Sequence, residues 1–148
     1  MMLEKKDWQD LIPHGGAMCL LDAVVAFDGT RIHAVSATHR DPRNPLRAEG
    51  RLHAITLCEY GAQAMAVHGA LLARQQGGRA RPGFLVSLRE VELKAEFVDA
   101  LPGELDIHAE CLLDAGDSLQ YAFRVEHAGL MLASGRAAVL ARQGGETS

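Results

Sequence analysis

The chain of 148 residues has no excess of positive charge: 15 Lys and Arg stand against 19 Asp and Glu, a formal net charge of −4. Polyphosphate backbones are drawn by broad positive fields, so a nucleic-acid partner is not expected. Cysteine is scarce. Cys19, Cys58 and Cys111 are odd in number, far apart and set in apolar runs, which suits reduced core thiols in a cytoplasmic protein rather than disulfides or a zinc site. The start, Met1 to Trp8, lacks the apolar run of a signal peptide, and no uncharged stretch is long and apolar enough to span a bilayer. The nearest, Leu52 to Ala73, is interrupted by Glu59, Gln63 and histidines and reads as a buried helix, so no membrane association is expected. A phosphate-cradling glycine loop, a metal-ligand cluster and a nucleophilic serine elbow are all missing. Neither a metal nor another cofactor is therefore expected.

What is present is an ordinary globular composition, 48% hydrophobic and 23% charged. A domain of roughly 150 residues can bury about 70% of its unfolded surface, enough for one domain over residues 1–143 with a disordered tail at 144–148. Two β-prone runs, Leu20 to Phe27 and Arg31 to Ala37, flank Asp28-Gly29, a strong hairpin signal. Residues His39 to Gly50, with two prolines and three arginines, read as an irregular loop.

Leu52 to Gln76 is rich in Ala, Leu, Met and Gln, free of proline, and ends at Gly77-Gly78, which can supply the left-handed geometry that stops a helix. Ile55, Cys58, Ala62, Met65, Ala66 and Gly69 recur at helical spacing, and the small residues among them would let a sheet approach closely. The period then changes to two. Val91, Leu93, Ala95 and Phe97 alternate with Glu and Lys, Leu105 to Cys111 alternates with Asp106, His108 and Glu110, and Leu119, Tyr121, Phe123 and Val125 continue the alternation before a final run from Leu130 to Ala141. Pro102-Gly103, Ala115-Gly116-Asp117 and Ala128-Gly129 supply turns between them. One helix cannot cover both faces of such a sheet. The expected fold is α+β, a long helix wrapped by a curved antiparallel sheet of five to six strands, with a second chain pairing on the remainder.

Glu59 is the only formally charged side chain from Leu52 through Ala73. With Thr56, Tyr60 and Gln63 it forms a thin polar stripe that either lines a substrate tunnel or faces water. In a tunnel, desolvation would favour the neutral carboxyl, as a general acid needs. His14 lies in Ile12-Pro13-His14-Gly15-Gly16, where it is either a base held at a tight turn or a structural histidine. Arg40, Arg43, Arg47 and Arg51 before the helix, with Arg74, Arg79 and Arg81 after it, could meet a phosphate or form a solvated face.

Together, Ile12-Pro13-His14-Gly15-Gly16-Ala17-Met18-Cys19-Leu20-Leu21-Asp22, Ala48-Glu49-Gly50 and Leu57-Cys58-Glu59-Tyr60-Gly61-Ala62-Gln63-Ala64 resemble the hotdog-fold 3-hydroxyacyl-acyl-carrier-protein dehydratases of the FabZ-like family. The nearer match is the ApeP-like branch linked to aryl polyene biosynthesis. The resemblance implies a hotdog domain paired into a dimer with active sites at the interface. It implies thioester substrates on acyl carrier protein or CoA, in fatty-acid or polyene-type lipid biosynthesis. A histidine would remove the C2 proton while a helix carboxylic acid protonates the departing hydroxyl. Glu59 matches the acid, and the carbonyl would be held by backbone N–H groups near His53, Ala54 and Ile55, where the helix dipole favours developing negative charge. Gln63 joins these as a candidate substrate contact from the polar stripe.

FabZ-type members place their histidine in a His-Phe-Pro-Gly loop just before the helix, whereas this chain reads Asn44-Pro45-Leu46-Arg47. The base must then come from elsewhere, with His14 the first choice and His53 behind it. Two other readings stand beside the dehydratase: a hotdog acyl-thioesterase using Glu59, and a non-catalytic acyl-binding subunit of a heterodimer.

Overall fold

The computed structural model describes residues 2–12, 16–78 and 83–141. Seven antiparallel strands form one sheet: β1 (Leu3–Glu4), β2 (Ala23–Phe27), β3 (Arg31–Ser36), β4 (Gly83–Leu93), β5 (Leu105–Asp114), β6 (Ser118–His127) and β7 (Leu130–Ala141). Their order across the sheet is β1-β2-β3-β5-β6-β7-β4. One α-helix, α1 (Leu57–Gln75), follows a single 3-10 turn at Ala54–Thr56 and packs on one face of the sheet against β3, β5, β6 and β7. No helix among the described residues is long and apolar enough to cross a membrane.

The expected α+β arrangement is present, with one correction: the sheet has seven strands rather than five to six. The extra strand, β1, pairs through only Leu3 with Val24 and Glu4 with Ala23, too short a segment to leave a periodic signal. The strand after the helix is also displaced toward the N-terminus. It ends at Leu93, past a bulge where Glu90 takes a left-handed φ of 56° and the register with β7 shifts between Arg89 and Glu92. The alternation seen in the sequence to Phe97 thus outlasts the strand. Residues 96–98 instead pair with the segment before α1, Ala54 N–H donating to Glu96 O (2.9 Å) and Val98 N–H to Leu52 O (2.9 Å).

Local chemistry explains the turns. Asp28 Oδ1 accepts the N–H groups of Thr30 and Arg31, each at 2.9 Å, an Asx turn that closes the β2–β3 hairpin. Helix α1 stops where Gly77 adopts φ 80° and Gly78 N–H donates back to Ala73 O at 3.0 Å, the six-to-one bond of a Schellman close.

The core lies between the helix and the concave side of the sheet, where Leu57, Tyr60, Ala64, Val67 and Leu71 meet Ile32, Ile107, Phe123 and Val125. Gly61 sets how closely the two layers approach: a Cβ there would sit 2.6 Å from Phe123 Cδ2. Of the positions expected to be buried, Cys58 and Met65 are, whereas Ala62, Ala66 and Gly69 are half-exposed and Ile55 is 52% exposed. Because α1 is apolar nearly all round, two small-residue stripes share one spacing and only the sheet distinguishes them. The tail at 144–148 lies outside the described residues.

Candidate active site

The start of α1 is pinned from the side. Arg51 Nε reaches both Asp99 oxygens (3.1 and 3.2 Å) and Leu52 N–H donates to Asp99 Oδ1 at 3.0 Å. The Leu52 N–H bond, and after it Arg51, holds the Asp99 carboxyl below the usual carboxylate range. The Arg51 guanidinium lies 3.9 Å from the centre of the Phe97 ring. On the same ring His53 sits 4.6 Å away, centroid to centroid. His53 is exposed, and its carbonyl accepts both Thr56 N–H (3.0 Å) and Thr56 Oγ1 (2.6 Å).

Glu59 stands in the first turn of α1, half-buried rather than enclosed. It heads the half-exposed stripe that continues through Ala62, Ala66 and Gly69, so its side of the helix is the one the chain's own sheet leaves open. Its expected partner, His14, lies outside the described residues, as do Pro13 and Gly15. The N–H of Ala54 was expected to help hold a thioester carbonyl, but it is given to Glu96 O. That removes one of the three donors expected from the sequence.

Tyr60 and Gln63, the other members of the polar stripe, are fully buried and bonded to the protein itself. Gln63 Oε1 accepts Leu20 N–H at 2.8 Å, and Gln63 Nε2 donates to Met18 O at 2.6 Å. Asn44 Nδ2 donates to Tyr60 Oη at 3.0 Å, and Tyr60 Oη lies 2.8 Å from Thr38 Oγ1, which donates to Leu20 O at 2.8 Å. Burial pushes the Tyr60 hydroxyl pKa up, so it stays protonated and can donate to Thr38.

Most loop arginines are also spoken for. Arg43 pairs with Asp41 at 3.3 Å, and Arg47 donates to Gly50 O (2.8 Å) and His39 O (3.2 Å). Arg74 donates to Asp7 O at 2.7 Å; Arg79 and Arg81 lie outside the described residues. The solvated-face reading thus describes these side chains better than a preformed phosphate cradle.

The remaining histidines fall into three settings. His39 and His68 are buried, and burial lowers the pKa of each. His39 Nε2 donates to Leu101 O; His68 Nε2 donates to Asp28 O while its Nδ1 accepts the Tyr121 hydroxyl. His33 and His108 stack on the far side of the sheet at 4.3 Å, and His127 donates to Pro102 O. Burial raises the pKa of all three thiols, Cys19, Cys58 and Cys111, which disfavours the nucleophilic thiolate. Among the described residues no group of three or more His, Cys, Asp or Glu could hold a metal ion. A cavity of about 480 Å³ opens on the outer face of the sheet, where Arg31, Glu110, Arg124 and Arg136 stand beside apolar residues such as Ile32 and Phe123. Glu59 is not among its lining residues.

Sequence reasoning located the helix and its carboxylate but missed the grip of Tyr60 and Gln63 on Leu20. The signal was their i, i+3 spacing on an otherwise apolar helix, which places two polar groups on one face.

Solved structures with the same architecture include the dehydratase heterocomplex ApeI:P from Xenorhabdus doucetiae. Its TM-score is 0.82 at 22% identity, covering 92% of this chain and 91% of that one. A homologue of HP0420 from Helicobacter felis follows with a TM-score of 0.62 at 11% identity, covering 90% and 85%. A hypothetical thioesterase with coenzyme A from Streptococcus pneumoniae has a TM-score of 0.58 at 10% identity, covering 80% and 84%. These likenesses establish the hotdog fold. No curated protein matches the chain by sequence. The profile of the ApeP-like family, described as ApeP dehydratase, matches residues 6–147, and the chain belongs to that family.

Proposed function

We propose that this protein is a dehydratase of 3-hydroxyacyl thioesters carried by acyl carrier protein or CoA, with Glu59 as general acid and His14 as general base. The observation that carries the reading is the family match over residues 6–147 together with a half-open carboxylate in the first turn of α1. In this reaction the base takes the C2 proton, the C3–O bond breaks as Glu59 protonates the hydroxyl, and a C2–C3 double bond forms as water leaves. The thioester carbonyl, which gains negative charge as the C2 proton departs, is assigned to the N–H groups of His53 and Ile55 at the positive end of the helix.

The reading includes a second hotdog subunit. Among the described residues β4 pairs only with β7, so an eleven-residue strand has one edge that its own sheet does not use, and such edges recruit other strands. Leu88, Leu93 and Ile55 are 39%, 41% and 52% exposed, apolar area that a subunit contact would cover. The ApeI:P assembly is a heterocomplex, which makes a related subunit as fitting a partner as a second copy.

The test is product analysis of 3-hydroxyacyl thioesters on both carriers, with the protein alone and with a related hotdog subunit. Enoyl thioester is expected, with turnover reduced about 10²- to 10⁴-fold in Glu59→Gln and in His14→Ala. Free thiol without enoyl product would establish a thioesterase instead, and no turnover alone, with tight binding to an active hotdog subunit, would establish a non-catalytic partner. Full activity in both variants would overturn the site assignment.

A further inference from the structure

The peptide unit of Leu20 is held entirely by side chains. It precedes β2, and its N–H goes to Gln63 Oε1 (2.8 Å). Its carbonyl accepts both Ser36 Oγ and Thr38 Oγ1. Gln63 holds the carbonyl of Met18 as well, at 2.6 Å. Tyr60, one turn away on the same helix face, reaches the same peptide through Thr38. Gln63 is 0% exposed, so no water competes for either bond, and an amide supplies the acceptor and the donor this pair of backbone groups requires.

The chain passes from His14 directly into the segment so held, and Gln63 follows Glu59 by one helical turn. We infer that Gln63 is a positioning residue: its amide ties the backbone of Met18 and Leu20 to the helix turn that carries Glu59, and so sets the acid against the segment that follows the base. The inference rests on the dehydratase reading above. Gln63, expected from the sequence to touch substrate, acts here through the backbone instead.

The test compares Gln63→Leu, Gln63→Glu and Tyr121→Phe with wild type, alone and with the related hotdog subunit, well below their melting temperatures. Tyr121→Phe removes a buried hydrogen bond to His68 and serves as a variant of reduced stability away from Leu20. For Gln63→Leu, kcat is expected to fall about 10- to 100-fold with KM little changed, the scale of a misplacement near 1 Å. Hydrogen-exchange protection of the Leu20 amide should be lost with it. Gln63→Glu offers acceptor and donor only when protonated, so its kcat relative to wild type should be greatest at low pH and decline as pH rises. The titratable neighbours Lys5, Cys19, Asp22 and Tyr60 are common to both proteins and cancel in that ratio. Wild-type kcat in folded Gln63→Leu would overturn the inference, as would an equal fall in Tyr121→Phe. If wild type has no turnover, the dehydratase reading and the catalytic part of this inference both fall. Loss of Leu20 protection in Gln63→Leu upholds the backbone anchor in either case.

Discussion

Gly61→Ala is a substitution for which helix propensity and packing predict opposite signs. Alanine is favoured over glycine inside a helix by about 1 kcal/mol, so the propensity argument alone predicts a more stable protein. The added Cβ, however, would lie 2.6 and 2.7 Å from Phe123 Cδ2 and Cγ, whereas carbon atoms rest at about 3.5–4.0 Å. Helix and ring must separate by about 1 Å. The ring has little room to retreat, because Gly135 on β7 closes its other side: a Cβ there would stand 3.0 Å from Phe123 Cε1. Overpacking a core of this kind costs about 1–3 kcal/mol, and the confined ring argues for the upper end. After the propensity gain, a net loss of about 2 kcal/mol is expected, or a Tm lower by about 4–8 °C for a chain of this size. The assay is a double-mutant cycle by urea unfolding, with Gly61→Ala, Phe123→Leu and the pair. The double variant should lose at least about 1 kcal/mol less than the sum of the singles, since the smaller side chain makes room for the methyl. A Gly61→Ala protein that melts higher than wild type, or strict additivity in the cycle, would refute the claim that glycine sets the helix-to-sheet distance.

Stability should also fall on the acid side. His39 and His68 have lowered native pKa values, with burial the largest cause, while in the unfolded chain histidine titrates near about 6.5. Between those values the unfolded state binds more protons, so this contribution is complete above pH about 6.5 and is lost as pH falls toward the native pKa values. Urea midpoints at pH 7.5 and pH 5 should show the drop, and His68→Gln should flatten the slope; an unchanged slope would exclude His68 as a contributor. In the β6–β7 turn, Ala128 and Gly129 both have positive φ, 52° and 84°, a geometry that costs an L-residue about 1–2 kcal/mol. Ala128→Gly relieves that strain at some cost in unfolded-state entropy. A rise in Tm of about 1–4 °C is expected by calorimetry, and a fall would show that the strain is absent.

The strands after the helix were legible because their side chains alternate with one solvated face. β5, β6 and β7 lie where Leu105 to Cys111, Leu119 to Val125 and Leu130 to Ala141 place them. Alternation is a local property, and it failed at the end of β4, where residues 96–98 pair with residues 52–54 rather than with β7. Asp28-Gly29 was legible for a similar reason, since the Asx turn is made by neighbours in sequence. β1 left no trace, because two residues acquire strand geometry only through pairing with β2.

The sequence by itself determined that α1 exists, where it stops, and that one carboxylate sits in its first turn with no other charged residue on the helix until Arg74. It could not determine which way the helix faces. Ala62, Ala66 and Gly69 look as fit for burial as Gly61, Ala64 and Met65, and the choice is made by the Phe123 ring on a strand 62 residues away in the chain. The same distance problem hid the work of Gln63. Its polarity on an apolar helix was visible, but its partners, Leu20 and Met18, are 43 and 45 residues away. Only the folded chain brings those backbone groups to it, and a buried amide is bonded by whatever polar atoms folding places within reach. Local propensity and pattern sufficed for elements and for the odd carboxylate; tertiary packing decided what each buried polar group is for.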